Sequence, residues 1–199
     1  RLPVEKIMTG VKFLVSGLSE HGFMDAEEAI MTTDRFPKIF SHQAEIGGKT
    51  ITVTGMAKGA GMIEPHMATM LAFLMTDAAI EQKVLTRVFK RAVESSFNSI
   101  TVDGCMSTND TAIIMANGFA GNRLIRGRSR DIGLFERMLS AIMSDLAVAM
   151  VKDGEGATKV IEFVVEQARS KTEAKKIASA MANSNLVKTA FFGQDPNWG

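Results

Sequence analysis

Apolar residues recur at helical spacing near the start of the chain, at Val4, Ile7, Met8, Val11, Leu14, Val15 and Leu18. Pro3 suits a first helical turn and Gly22 a C-terminal stop, so the pattern predicts a helix over 3–22. A shorter helix is expected over 25–31, with Asp25 as N-cap and Glu28 completing a capping box. Loosely alternating runs over 36–46 and 49–56 flank Gly47-Gly48, a two-residue hairpin signal. The continuous apolar run 70–75 reads as a buried strand, and 81–97 as an amphipathic helix. Strands are expected over 99–103 and 111–115. The longest helix is expected over 131–151, carrying Leu134, Leu139, Met143, Leu146, Ala147 and Met150 on its apolar side. Then come a strand over 160–165, a helix over 172–182 and a strand over 186–192. This mixture predicts an α/β protein of sheets layered against helices. The chain shows no repeat and no linker-like stretch, so residues 1–199 are expected to form one domain or most of one.

Composition narrows the function classes. The chain is 46% hydrophobic and 23% charged, with a net charge of +1, which gives no electrostatic reason for nucleic acid or an anionic membrane as partner. The cluster Arg123, Arg126, Arg128 and Arg130 is local and lacks aromatic interleaving, so it reads as a solvated connection. No apolar run reaches the roughly 18 residues of a membrane span, and no secretory leader opens the chain. The single cysteine, Cys105, excludes an internal disulfide and fits a reducing compartment, so a cytoplasmic setting is expected. His21, His42 and His66 lack partners at metal spacing, so no metal site is expected. The 14 methionines read as core gap-fillers.

Nucleotide loops fail on spacing. Gly48-Lys49-Thr50 resembles the end of a phosphate loop, but Gln43 stands where its first glycine should be. Gly59 and Gly61 lack a third glycine, since Glu64 occupies that place. Candidate chemistry concentrates instead over 55–79. A glycine-rich loop with Lys58 leads through Glu64-Pro65-His66 to Ala68-Thr69, at the mouth of the apolar run. A threonine hydroxyl is a weak nucleophile until a base takes its proton. Cutting the bond before Thr69 would free an α-amine, of pKa about 8, to be that base. From spacing alone, an N-terminal nucleophile and an inert corner both remain open. Two further polar segments resist a bland reading. The run 101–111 sets hydroxyls, an amide and carboxylates between apolar runs, where burial demands partners. In 153–158, Gly154 and Gly156 flank Glu155 and let its carboxylate project. From the residues alone, a structural turn network for 101–111 and a helix C-cap with a solvated Glu155 for 153–158 stay equally open.

Together KGAGMIEPHMATMLAFLMTDA, TVDG followed by STNDT, DGEGATK, the upstream MTTD and the closing FFGQDPNWG resemble the ornithine acetyltransferase (glutamate N-acetyltransferase) family of arginine biosynthesis. The resemblance covers essentially the whole chain. It implies an N-terminal-nucleophile-like α-β-β-α architecture, incomplete at both ends. It also implies self-cleavage between Ala68 and Thr69, so that 1–68 would end an α fragment and 69–199 begin a β fragment. Thr69 matches the nucleophile, which takes the acetyl group of N-acetylornithine and passes it to glutamate. Lys58, Glu155 and Thr32 match substrate-binding positions, with Thr33 the close alternative to Thr32. No cofactor is implied, although some members also use acetyl-CoA as a co-substrate. The implied assembly is a heterotetramer of two α and two β fragments.

Departures from the family pattern are Arg35, where threonine usually follows TTD, Cys105-Met106 in place of an Asp-Thr pair, and Glu64 and His66 in the cleavage turn. The resemblance puts the oxyanion-hole Thr-Gly pair upstream of residue 1, and a substrate-binding asparagine and hydroxyl residue beyond Gly199. Because losing such a hole costs about 100- to 1000-fold in rate, the isolated chain is expected to be impaired. Two alternatives stand beside the acyltransferase: an amidohydrolase or aminopeptidase of the N-terminal nucleophile type, and an inactive fragment that keeps the fold.

Overall fold

The computed structural model describes residues 2–60, 70–102, 104, 109–127 and 129–196. In chain order these form α1 (Val4–Ser16), α2 (Phe23–Ile30), β1 (Ile39–Ile46), β2 (Lys49–Lys58), β3 (Leu71–Thr76), α3 (Gln82–Ser95), β4 (Thr111–Ala116), α4 (Arg130–Lys152), α5 (Lys171–Ala182) and α6 (Asn185–Gly193). Gly47 and Gly48 join β1 to β2 with φ of 61° and 76°, the mirror-image turn whose twist suits a tight hairpin. Antiparallel β2–β3 and parallel β3–β4 pairings complete a sheet of order β1-β2-β3-β4. The parallel pair needs a crossover, and α3 lies within it.

One face of the sheet carries the core. Ile51, Val53 and Ala57 of β2 and Ala72 and Leu74 of β3 are fully buried there. Above them lie α3, through Val84, Val88 and Ala92, and α4, through Phe135, Leu139, Ile142, Leu146 and Met150. The spacing of those α4 residues keeps one stripe on the sheet for the length of the helix. A Cβ on Gly55 would sit 3.0 Å from Leu146 Cδ1, so a glycine in mid-strand is what lets α4 settle so closely. On the opposite face, Ser41 and Thr54 share a hydrogen bond of 2.9 Å, while Ile113 and Met115 are exposed. Among the described residues there is thus one sheet under one helical layer. The mixed α/β class holds, with one sheet and one helical layer among the described residues.

Several expected elements differ. The first helix stops at Gly17, whose N–H donates to the carbonyls of Phe13 and Leu14, and does not reach Gly22. The second is capped by Gly22 with no side-chain cap, and Asp25 lies inside its first turn. Residues 99–102 form no strand; Phe97–Ser99 is a 3-10 turn. Residues 160–165 are not paired into any sheet. Residues 186–192 are helical, because Ser184 caps the segment by accepting the Val187 N–H. Met143 and Met150 fill the core as expected, but Met8, Met24, Met115 and Met181 are exposed. No helix among the described residues is long and apolar enough to cross a membrane.

Candidate active site

The sheet register brings several strand ends to one place. Ile39 opens β1 opposite Met56, Lys58 closes β2 opposite Leu71, and Leu71 opens β3 opposite Thr111. Loop 31–38, the glycine loop after Lys58 and the C-terminal end of α4 all converge on this edge. Thr32 and Lys58 meet directly, since the Lys58 ammonium donates to Thr32 Oγ1 at 3.0 Å. Lys58 is nearly buried, with 6% of its surface exposed. Glu155 is exposed, and its N–H donates to the Ala60 carbonyl at 2.8 Å. This contact ties the DGEG segment to the KGAG segment. Glycine at 154 spares its neighbours a shift, because a Cβ would lie 3.1 Å from Val102 Cγ1 and 3.2 Å from the Val151 carbonyl oxygen.

Thr69 and Ala68 lie outside the described residues, as do Glu64, His66 and Cys105. Met70 follows them and is held twice, its N–H donating to Asp110 Oδ1 at 2.8 Å and its carbonyl accepting from the Thr111 N–H at 2.9 Å. A Cβ on Gly59 would stand 3.8 Å from Met70 Cα, so the glycine loop and the residue after Thr69 are close neighbours. The polar run 101–111 finds some of its partners here. Thr101 Oγ1 bonds Asn183 Oδ1 at 2.7 Å, and Lys188 donates to the Val102 carbonyl at 2.7 Å.

Beneath these loops sits a buried ionic cluster that sequence reading missed. Lys38 donates to Asp34 Oδ1 at 2.8 Å and to Asp153 Oδ2 at 2.6 Å, with all three side chains at 1% exposure or less. Arg35 adds its N–H and Nε to the Asp153 carboxylate, at 3.0 and 2.9 Å. Asp34 also accepts from the Gly59 N–H at 2.7 Å and the Thr32 N–H at 3.1 Å. Burial pushes its carboxyl up, but these hydrogen bonds and the Lys38 charge outweigh it and hold Asp34 below its ordinary value. Asp34 and Asp153 stood inside the quoted motifs. Lys38 had no signal, because Asp153, which with the nearby Asp34 completes its surroundings, is 115 residues away.

Glu27 completes the cluster with the opposite shift. Its Oε1 accepts the Lys38 N–H at 3.0 Å, while the buried Oε2 has no partner among the described residues. Burial raises its carboxyl above 4.5, against the Lys38 hydrogen bond and charge and with help from the Asp34 charge. The folded chain therefore keeps a proton that the unfolded chain releases above pH 4.5, and stability falls as pH rises beyond that value through the folded pKa. Glu27→Gln removes this titration. In urea unfolding, its stability relative to wild type should be constant below pH 4.5 and grow in the variant's favour above it. A difference independent of pH contradicts the assignment.

The comparisons with known proteins agree with one another. The ArgJ family model matches residues 1–199. The arginine biosynthesis bifunctional protein ArgJ of Geobacter sulfurreducens is 56% identical over 198 residues, covering 100% of this chain and 50% of that protein. The protein of that name from Caldanaerobacter subterraneus is 50% identical over 198 residues, covering 100% and 49%. The chain thus spans about half the length of these relatives. The crystal structure of arginine biosynthesis bifunctional protein ArgJ from Bacillus halodurans superposes with a TM-score of 0.61 at 42% identity, over 64% of this chain and 60% of that one. With its whole length matched by the family model and about half its residues identical to those relatives, the chain belongs to the ArgJ family.

Proposed function

We propose that the chain carries the nucleophile and part of the substrate site of a glutamate N-acetyltransferase. The reaction is transfer of the acetyl group of N-acetylornithine to glutamate through an acetyl-Thr69 intermediate, in arginine biosynthesis. One observation supports it most. The loop of Thr32, the end of β2 at Lys58 and the segment of Glu155 are joined to one another at the end of the sheet where β3 begins, and Thr69 stands two positions before Leu71 in sequence.

Cleavage of the Ala68–Thr69 bond frees the Thr69 α-amine. That amine takes the hydroxyl proton as Oγ attacks the acetyl carbonyl. Collapse of the tetrahedral adduct breaks the amide C–N bond, and the proton passes to the departing ornithine nitrogen. The glutamate amine then attacks the acetyl ester, loses a proton to the same base, and leaves as N-acetylglutamate with Thr69 restored. Lys58 suits the substrate α-carboxylate, and Glu155 suits the side-chain ammonium of ornithine. Thr32 holds the Lys58 ammonium in place. An assay of glutamate acetylation from acetyl-CoA, which some family members use, decides whether it is a second acyl donor here. Cleaved fragments ending at Ala68 and beginning at Thr69 assemble as two α and two β chains in the cytoplasm.

The test is acetyl transfer by the full-length protein, with and without glutamate. Sustained ornithine release that requires glutamate and yields N-acetylglutamate is expected. Sustained release of acetate without glutamate would make the protein a hydrolase instead.

A further inference from the structure

Lys38 takes no part in the chemistry above, yet it is the most constrained cation among the described residues. Its N–H donates to Glu27 Oε1 at 3.0 Å, and its carbonyl accepts from the Ala57 N–H at 3.0 Å. The ammonium reaches two carboxylates at once, and each carboxylate anchors a different loop. Asp34 holds Gly59, next to Lys58, and the backbone of Thr32. Asp153 receives Arg35 and stands two residues before Glu155, whose own N–H returns to Ala60.

Lysine normally keeps its head group in water. Burying the ion costs several kcal/mol before its partners repay it, and an apolar residue of similar size often serves stability as well. A buried lysine bridging two acidic anchors therefore asks for a role beyond stability. We infer that Lys38 is a positioning residue for the acetyl-donor site: by holding Asp34 and Asp153 together, its ammonium sets the loops of Thr32, Lys58 and Glu155 at fixed distances from one another. The inference rests on the proposed acetyl transfer. Without that cation, two buried carboxylates face each other with Arg35 on only one of them, and the loops they anchor drift apart.

Lys38→Met in the full-length protein tests this, by steady-state rates and by amide hydrogen exchange. A displacement of about 1 Å costs up to ~100-fold in such sites. kcat/KM for N-acetylornithine should therefore fall about 10- to 100-fold, mostly through KM, because the displaced groups bind ground and transition states alike. In a Lys58→Ala background the same change should cost less than it does alone, since part of its effect runs through Lys58 and only the Glu155 part remains. Unchanged kcat/KM, or an equal loss in both backgrounds, overturns the inference. If Lys38→Met does not fold, Asp34→Asn removes one of the two anchors, keeps a hydrogen-bonding oxygen, and should show the same KM rise and the same non-additivity.

A wild-type protein without acetyl transfer would overturn the functional reading alone. Exchange at the Gly59 amide then decides the role of Lys38. Acceleration of about tenfold or more in Lys38→Met, beyond any change in the α4 core, supports it, because freeing a hydrogen bond to a charged acceptor is worth at least that much. Unchanged protection overturns it.

Discussion

Thr69→Ala in the full-length protein should leave the 68–69 bond intact and abolish acetyl transfer, a loss on the order of 10⁶-fold when a covalent nucleophile is removed. The size follows from two roles lost together. The hydroxyl that attacks the acetyl carbonyl is gone, and without cleavage no α-amine is freed to act as base. Thr69→Ser keeps the hydroxyl and should retain both cleavage and transfer at reduced rate. Gel separation of the fragments and an ornithine assay read the two outcomes independently. Cleavage at that bond in Thr69→Ala would remove Thr69 from the chemistry altogether.

The second large effect concerns the ionic cluster. Asp153→Ala should lower the unfolding free energy by about 3–5 kcal/mol, the penalty for leaving a buried partner uncompensated. Its carboxylate is fully buried and binds the equally buried Lys38 at 2.6 Å. Arg35 is a contrast at the same carboxylate. Its side chain is 55% exposed, so Arg35→Ala should cost less than about 1 kcal/mol. Chemical denaturation compares the two. An Asp153→Ala loss no larger than that of Arg35→Ala would mean that the cluster is well solvated and does not hold the loops.

The local devices of this fold were legible in the sequence, and the distant ones were not. The hairpin follows from Gly47-Gly48, because few other pairs tolerate two successive positive φ values. The long helix follows from the spacing of Leu134, Leu139, Met143, Leu146, Ala147 and Met150, which no strand could satisfy; all but the half-buried Leu134 reach the core. The apolar run 186–192 defeated the same reasoning, since a short apolar run fits either a strand or a helix. What decides it is the Ser184 cap. Residues 160–165 have a strand's composition but no strand to pair with among the described residues, and pairing is a tertiary matter.

The candidate site divides in the same way. Thr32, Lys58, Thr69 and Glu155 came from motif resemblance. Composition and spacing left Thr69 open between a nucleophile and a corner. Lys38 was invisible because its meaning depends on Asp153, which the fold alone brings near. Asp34 and Asp153 lay in plain view inside MTTD and DGEG, but their neighbours Thr32 and Glu155 drew the functional reading. A buried lysine pattern cannot be told from a surface one until its surroundings are known.

The most direct test is the mass of the fragment that begins at Thr69, measured after brief incubation of the full-length protein with N-acetylornithine in the absence of glutamate. The account predicts a fragment starting at Thr69 that gains the mass of one acetyl group and loses it when glutamate is added. An intact chain, or an acetyl group carried on any other residue, would contradict it.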